Sequence, residues 1–340
     1  MSIFQTVQLK DFSNYKTGGV CRYFCRPTKE NQIISALTIL NKKNIPFYIL
    51  GAGTNSLILD NEWTGGVFAL DQLRSLRLID EFTIYCEAGV TNTELSNFAQ
   101  EHGLTGLEWM HGLPGQVGGS VRMNARCYGG ETSQVITKVN SIDRNGKYKT
   151  RTIYPDNTNI FKGYKNTIFM TNKEIISSVE IKLKPGNKLS SLAKMNNIIL
   201  DRETKGHFAY PNCGCVFKND YSKEVSVPSG LLLEHSNVKN LRVGGATVSA
   251  KHANFIYNKD NATSDDIILC SLEMRERVWD NFSVWLEYEM EILGTPSKKI
   301  KDKISEKRRQ SPKKEKILAL RNLIDSQKNK KTKNNAQKNL

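Results

Sequence analysis

The chain has 340 residues, 39% of them apolar and 24% charged, proportions that exclude wholesale disorder and favour two or three packed domains. No run reaches the roughly 18 apolar residues of a membrane helix, and the amino terminus lacks a signal-peptide core, so we expect a cytoplasmic protein without membrane insertion. The net charge of +15 suggests nucleic-acid binding, but residues 297–340 hold 16 Lys/Arg and 4 Asp/Glu. Residues 1–296 therefore contain 33 basic and 30 acidic residues and are nearly neutral.

Hydrophobic periodicity predicts alternating helices and strands in the first half of the chain. A helix should follow Pro27, with apolar residues collected on one face: Ile33, Ile34, Leu37 and Leu40. Strands are expected at residues 46–50 and 83–90. The second strand should lead into a helix, because Thr91 and Glu94 have the spacing of a capping box.

The second half predicts a helix at residues 187–203 and a long helix from about Thr263 to Phe282. Strands are expected near residues 214–218, 246–257 and 284–293. In the last of these, strand alternation places Glu287, Glu289 and Glu291 on one face.

Together these elements predict an α+β protein with two lobes. A Pro-Gly turn marks a boundary near residue 185. We expect a first lobe at 1–185, with subdomains of about 1–70 and 71–185, and a second at 186–296. The basic, low-complexity residues 297–340 favour a solvated tail, partly helical or disordered. RNA, an acidic partner and the inner membrane face stay open as its contacts.

The cysteines and histidines suggest neither a disulfide framework nor a metal site. The seven cysteines are an odd number without CxxC spacing, and the five histidines include no HExxH pair. We therefore expect no bound metal.

A first glycine loop directly follows the strand at residues 46–50 and consists of Gly51, Ala52, Gly53, Thr54, Asn55 and Ser56. Glycines let backbone N–H groups approach a phosphate closely. The loop has no lysine and no long helix after it, which disfavours both a P-loop and a Rossmann fingerprint. A plain tight turn is the alternative.

A second, denser loop spans residues 106–125 and contains five glycines and one proline. Such a loop loses much conformational entropy on ordering, so a group outside the chain is expected to order it. The candidate contacts are Gly112, Pro114, Gly115, Gly118, Gly119, Ser120 and Asn124. A glycine-rich crossover packed against a strand is the alternative.

Both loops closely resemble the FAD-binding loops of the UDP-N-acetylenolpyruvoylglucosamine reductase (MurB) family. Further blocks resemble that family in the same order: residues 14–19, 211–219, 248–256 and 286–289. The resemblance implies an FAD-binding lobe of the vanillyl-alcohol-oxidase (PCMH) type and a carboxyl-terminal MurB-type substrate lobe. It also implies NADPH-dependent reduction of UDP-N-acetylglucosamine enolpyruvate to UDP-N-acetylmuramate, for peptidoglycan synthesis. We expect a monomer that requires no nucleic acid.

The resemblance also implies catalytic roles. Cys215 stands where the family usually has a proton-donating serine, and a thiol, with a pKa of about 8.5, is the stronger acid. Glu289 matches the glutamate that helps to hold and protonate the enol, with Glu287 as its rival. Lys165 replaces an arginine that faces the substrate, which keeps the charge and loses the bidentate fork. A buried thiol and a solvated strand edge are the alternatives for Cys215 and Glu289.

Tyr164, Lys218 and Asn219 match substrate-binding positions of the family. Only 49 residues separate Lys165 from Cys215, too few for the extra substrate loop of one subtype, so the chain resembles the shorter subtype. Two other functions stay open: a flavin-dependent oxidase of a sugar or alcohol, and a flavin-binding protein with impaired catalysis.

Overall fold

The structure is a computed structural model that describes residues 3–154, 159–222 and 224–337. In chain order, the strands are β1 Gln5–Gln8, β2 Val20–Cys25, β3 Phe47–Leu50, β4 Ser56–Ile58, β5 Trp63–Ala69, β6 Leu76–Leu78, β7 Thr83–Glu87, β8 Leu104–Thr105, β9 Arg126–Cys127, β10 Gly130–Glu131, β11 Ile136–Ile142, β12 Tyr148–Thr152, β13 Phe161–Gly163, β14 Asn166–Thr167, β15 Ile175–Lys182, β16 Lys184–Pro185, β17 Arg242–Val243, β18 Ala246–Val248, β19 Ile256–Asn258 and β20 Glu291–Leu293. The α-helices are α1 Glu30–Lys42, α2 Asn92–Glu101, α3 Val117–Met123, α4 Ile168–Asn172, α5 Lys188–Thr204, α6 Ser229–Glu234, α7 Ser264–Phe282, α8 Lys298–Ser305 and α9 Lys314–Gln337.

The chain divides into two compact units, and its helices and strands confirm the predicted α+β class. The first unit contains Met1–Asn14, Gly18–Thr54 and Asn61–Phe208. The second contains Tyr15–Thr17, Asn55–Asp60 and Ala209–Leu340. The expected boundary at residue 185 precedes α5, whereas the first unit extends through this helix to Phe208. A long-range contact ties α5 to the first unit: the Ser191 hydroxyl donates to the Glu108 carboxylate at 2.6 Å.

The first unit contains two main sheets. One has the order β1-β2-β5-β3, in which β2, β5 and β3 run parallel. Helix α1 covers it and buries three of the four predicted residues, Ile33, Leu37 and Leu40. Ile34 is only partly buried, and Ala36 is buried in addition. The other sheet, β12-β11-β15-β7-β6, is antiparallel throughout.

Helix α2 begins where the sequence predicts. The Thr91 hydroxyl accepts the Glu94 N–H at 3.1 Å, and the Glu94 carboxylate accepts the Thr91 N–H at 2.9 Å. This capping box satisfies amide groups that the first turn leaves without a helical partner. It fixes the start of α2 directly after β7, beside the second glycine loop.

The second unit is built around α7, which the sequence predicts almost to the residue. Thr263 caps it by accepting the Asp266 N–H at 3.1 Å. The helix packs against the antiparallel sheet β17-β18-β19, while β4 pairs in parallel with β20 in the same unit. The expected strand at 246–257 is thus two strands, β18 and β19.

Two predicted strands of the second unit are mostly irregular. Of residues 284–293 only β20 is a strand, and residues 214–218 contribute a single bridge, from Phe217 to Tyr288. The reason is that side chains replace neighbouring strands here. The Asn254 side chain, for example, accepts the Phe217 N–H at 3.0 Å and donates to the Phe217 carbonyl at 2.8 Å.

The tail is helical, which was one of the alternatives expected for it, and most of its described side chains are exposed, but a few apolar ones are buried. Residues of this segment form α8 and the start of α9, and Ile317 and Leu320 are only 2% and 5% exposed. With the partly buried Ile324 they lie three and four residues apart, which places them on one helical face. Among the described residues, no helix has the length and apolar character to cross a membrane.

Candidate active site

The first glycine loop leaves β3 through a turn that only glycine fits. Gly53 has φ of +65°, and a Cβ there would lie 2.4 Å from the Phe12 carbonyl oxygen. The Gly53 carbonyl accepts the Asn14 N–H at 3.4 Å. The loop therefore lies against residues 12–14, with its backbone as the contact surface.

The second glycine loop meets the first within the same unit. The Thr54 hydroxyl donates to the Pro114 carbonyl at 3.4 Å, and a Cβ on Gly115 would come within 3.1 Å of that hydroxyl. A Cβ on Gly51 would stand 3.4 Å from Gln116 Oε1. Two segments far apart in sequence thus form one backbone-lined cradle, which we call the glycine cradle: residues 51–54 and 112–120.

Two adjacent glycines at the start of α3 have different surroundings. A Cβ on Gly118 would stand 2.7 Å from the Ala88 Cβ, so this glycine allows α3 to pack closely on the chain after β7. A Cβ on Gly119 would have no atom of the described residues within 4 Å. The second position therefore leaves open space beside the glycine cradle.

Gln116 is the residue of the glycine cradle whose chemistry most directly suggests a ligand. Its side chain is 6% exposed, and its Oε1 has no hydrogen-bond partner among the described residues. A buried acceptor without a donor costs about 1–3 kcal/mol. FAD carries hydroxyl and imide N–H donors that suit such an acceptor, and the backbone of the cradle suits its phosphates. The residues present therefore fit the flavin that the family resemblance implies.

Ser120 and Asn124 make hydrogen bonds to neighbouring parts of the first unit. The Ser120 hydroxyl donates to Asn92 Oδ1 at 2.9 Å, and Asn124 Oδ1 accepts the Ser133 N–H at 3.0 Å. Both residues are buried. Asn55 and Ser56 belong to the second unit, where the Asn55 amide donates to the Glu289 carbonyl at 3.1 Å.

Glu108 anchors the chain that leads into the second loop. Burial raises the pKa of its carboxyl, but hydrogen bonds from Ser191, Thr105 and the Gly106 N–H outweigh burial and hold the pKa at about 2. The carboxylate ties the turn Glu108–Met110 to α5. A Cβ on Gly112 would stand 2.4 Å from Ile199, so α5 also packs against the cradle itself.

Tyr164 and Lys165 form the turn between β13 and β14 in the first unit. Lys165 has φ of +51°, a left-handed conformation that is uncommon outside glycine and asparagine. The Arg126 guanidinium lies over the Tyr164 ring at 4.4 Å. The turn therefore holds a lysine and an arginine-stacked tyrosine next to each other.

The pKa of the Cys127 thiol indicates a third cationic group, Arg202, near this turn. Burial raises its pKa, and the charges of Arg202 and Lys165 partly offset the rise. Arg202 donates through Nη2 to the Cys127 Sγ at 3.3 Å and is 5% exposed. Its Nε has no hydrogen-bond partner in the part of the chain that the structure describes. A buried guanidinium with an unused donor suits an anionic ligand.

The predicted proton donor lies on a short segment of the second unit. Gly214, with φ of +72°, turns the chain before Cys215, and its N–H donates to the Asn212 side chain at 2.9 Å. Cys215 is partly exposed. The alternative of a fully buried thiol applies to its neighbour Cys213 instead, which is 3% exposed and donates to the Ser56 carbonyl at 3.0 Å.

Glu289 lies beside this segment, and Glu287 differs from it. The Glu289 N–H donates to the Val216 carbonyl at 2.8 Å, which places the glutamate next to the residue after Cys215. Glu287 has a side chain 78% exposed, 3.7 Å from the Lys218 ammonium. The surroundings therefore favour Glu289 over its rival.

Asn219 has a visible structural role. Its Oδ1 accepts the Ser229 N–H at 3.0 Å at the start of α6, and its amide donates to the Tyr221 hydroxyl at 3.1 Å. The second unit thus brings together Cys215, Lys218, Asn219 and Glu289. Tyr164 and Lys165 lie in the first unit.

Sequence reasoning missed Gln116, Asn254 and the anchor Glu108. Gln116 stands inside the second glycine loop, so its place in the motif was a usable signal. Asn254 lies in the block at residues 248–256, but nothing in that pattern shows that its amide would pair with Phe217.

Comparison with known proteins matches both halves of the chain. Residues 206–293 match the family model of the UDP-N-acetylenolpyruvoylglucosamine reductase C-terminal domain, and residues 21–151 match an FAD binding domain. UDP-N-acetylenolpyruvoylglucosamine reductase 2 of Bacillus cereus is 35% identical, over 85% of this chain and 92% of its own. The reductase of Geobacillus thermodenitrificans is 33% identical, over 86% and 93%.

A solved structure gives the same result. The crystal structure of UDP-N-acetylenolpyruvylglucosamine reductase (MurB) from Thermus caldophilus has a TM-score of 0.69 and 28% identity to this chain. The match covers 85% of this chain and 98% of that one.

Proposed function

The chain belongs to the UDP-N-acetylenolpyruvoylglucosamine reductase (MurB) family, and we propose that it reduces UDP-N-acetylglucosamine enolpyruvate to UDP-N-acetylmuramate in peptidoglycan precursor synthesis. It is an oxidoreductase with FAD and NADPH as cofactors. The observation that carries the proposal is the match to curated reductases over more than nine-tenths of their length. We place the reaction in the cytoplasm, where NADPH is available.

When bound, FAD supplies the hydride transfer from NADPH to the enolpyruvyl double bond. The glycine cradle would hold it, with Gln116 Oε1 as an acceptor and the backbone at Gly51, Gly53 and Gly119 as the close surface. Because these contacts are mostly backbone, the family's cofactor role survives considerable change in side chains elsewhere.

Reduction of the alkene develops negative charge on the substrate's carboxylate, and this charge needs stabilisation. Lys165 provides a positive charge from a turn whose backbone conformation is fixed. Arg202 lies close enough to the same thiol as Lys165 to affect its pKa, and it supplies the planar donor fork that lysine lacks. We therefore assign charge stabilisation to Lys165, with Arg202 as the compensating cation.

The carbon next to the site of reduction must also receive a proton. We assign this step to the Cys215 Sγ, which is partly exposed on a turn preset by Gly214. Glu289, on the neighbouring segment, would hold the enol and assist the transfer. Tyr164, Lys218 and Asn219 are proposed to bind the nucleotide sugar.

The half-reactions test this assignment. In Cys215→Ala, flavin reduction by NADPH should keep its rate, and reoxidation by the enolpyruvyl substrate should fall by roughly two to four orders of magnitude, the usual contribution of a general acid. Cys215→Ser is the matched control and should retain most of the reoxidation rate, because a hydroxyl can also donate. Normal reoxidation in the alanine variant would refute the role of Cys215.

A further inference from the structure

Five apolar residues beyond the family match lie in the core of the second unit or pack against it. The family model ends at residue 293, and α8 begins at Lys298. Ile317 and Leu320 lie in the core, and three further isoleucines pack against it: Ile300, Ile304 and Ile324. This burial fixes both helices on the second unit, so the chain that joins them has a defined course.

The joining residues 306–313, which we call the brace, follow the chain at residues 282–285. The Ser311 N–H donates to the Ser283 carbonyl at 3.3 Å, and the Lys313 N–H donates to the Phe282 carbonyl at 2.9 Å. The indole N–H of Trp285 donates to the Glu306 carbonyl at 2.7 Å. In all three of these hydrogen bonds, the acceptor is a backbone carbonyl.

Gln310 is the centre of this contact. Its Oε1 accepts the Trp285 N–H at 3.0 Å, and its Nε2 donates to the Trp285 carbonyl at 2.8 Å. In the described part of the chain, residues 284–286 belong to no strand, and Trp285 is only 5% exposed. The Gln310 amide therefore supplies the donor and the acceptor that a neighbouring strand would have supplied.

Arg275 connects the end of α8 to Tyr288, the residue before Glu289. It is 2% exposed on α7, and its guanidinium lies 4.1 Å from the Trp285 ring centre and 4.8 Å from that of Tyr288. It donates to the carbonyls of Lys303 and Ile304 at the end of α8, the latter at 3.2 Å. Tyr288 thus packs on a group that α8 holds in place.

We propose that Gln310 is a positioning residue, and that the brace it centres fixes the Trp285–Tyr288 segment so that Glu289 stays beside Cys215. The inference rests on the proposed role of Glu289 and goes beyond the family match, because the brace lies outside it. An extension that composition alone suggests to be solvated is, in this chain, a support for the active-site segment. Arg275 contributes to the same constraint, because its guanidinium stacks on the rings of Trp285 and Tyr288.

The test uses Gln310→Met, which keeps the side-chain length and removes both hydrogen bonds. Arg309→Met, a change at the neighbouring position, which is exposed as Gln310 is, is the matched control. Flavin reduction by NADPH should stay within about twofold of the unmodified protein in both variants. Reoxidation by the enolpyruvyl substrate should fall roughly tenfold in Gln310→Met only, a change equivalent to about 1.4 kcal/mol.

Hydrogen exchange gives a readout that does not depend on turnover. In Gln310→Met, amides of residues 283–290 should exchange faster, and those of α1 and α2 in the first unit should not change. Gln310→Glu keeps the acceptor for the Trp285 N–H and loses the donor, so its reoxidation rate should lie between those of the unmodified protein and Gln310→Met. This graded response separates positioning from a general loss of structure.

Three outcomes overturn the proposal: unmodified reoxidation in Gln310→Met, equal slowing of both half-reactions, or unchanged exchange at residues 283–290. A chain truncated after Ser326 retains the brace and should behave as the full chain does. If the unmodified protein is itself not reoxidised by the enolpyruvyl substrate, the proposed function fails. Exchange at residues 283–290 still reports in that case whether Gln310 fixes the segment.

Discussion

Replacing Glu108 with glutamine should remove a pH-dependent contribution to stability at the base of the glycine cradle. A carboxyl whose pKa falls from the usual 4.5 to about 2 on folding contributes about 3 kcal/mol to the free energy of unfolding at neutral pH. Glu108 is only half-buried, and solvent screening lowers this to roughly 2 kcal/mol. The hydrogen bonds from Ser191, Thr105 and Gly106 are the source of this energy.

The sign of the effect follows from the direction of the shift. Because the folded-state pKa is the lower one, the contribution is complete above about pH 4.5 and is lost as the pH falls towards 2. The free energy of unfolding of Glu108→Gln should therefore lie roughly 2 kcal/mol below that of the unmodified protein at pH 7, and more than half of the gap should close by pH 3.

Urea unfolding of both proteins between pH 7 and pH 3 measures this gap, since other titrating groups are common to the two. Glu101→Gln is the control, because Glu101 is an exposed residue at the end of α2. A gap that stays constant with pH would refute the account of Glu108, and a gap that widens on acidification would reverse its sign.

Two further substitutions test the cradle and the carboxyl-terminal helix. Gly53→Ala places a Cβ 2.4 Å from the Phe12 carbonyl oxygen, so the variant should lose most of the flavin retained on purification. Gly129→Ala, also at positive φ but with open space around it, should lose little. Equal flavin content in the two variants would contradict the role of the glycine cradle. Leu320→Ala should lower the free energy of unfolding by about 2–5 kcal/mol, and Leu318→Ala, at a position 57% exposed, should change it by about 0.5 kcal/mol or less. Equal effects in chemical denaturation would show that Leu320 is not a core residue.

Local signals in the sequence predicted the elements whose bonds are local. The start of α2 depends on Thr91 and Glu94, three residues apart, and that of α7 on Thr263 and Asp266. Glycine spacing predicted both loops of the cradle for the same reason. A positive φ at Gly53 is a property of the residue and its immediate turn.

Long-range pairing was the part that the sequence could not give. Apolar alternation correctly separated the buried Leu286 and Met290 from the exposed Glu287. It did not reveal that the peptide groups of Trp285 bond to a side chain, because Gln310 lies in a segment whose composition suggests solvation.

The same limit applies to the candidate site. The motifs picked out Cys215 and Glu289, and the structure places their segments side by side through Val216. Burial of the Gln116 side-chain oxygen depends on how two distant loops meet, so it could be recognised only from the fold. The roles of these residues stay predictions.

The most direct measurement is anaerobic spectroscopy of the purified protein, with NADPH added first and UDP-N-acetylglucosamine enolpyruvate second. The flavin absorbance should be present at the start, should bleach with NADPH and should return with the enolpyruvyl sugar. A colourless protein that takes up no FAD would contradict the account. So would a flavin that NADPH leaves oxidised and that a simple sugar or alcohol reduces.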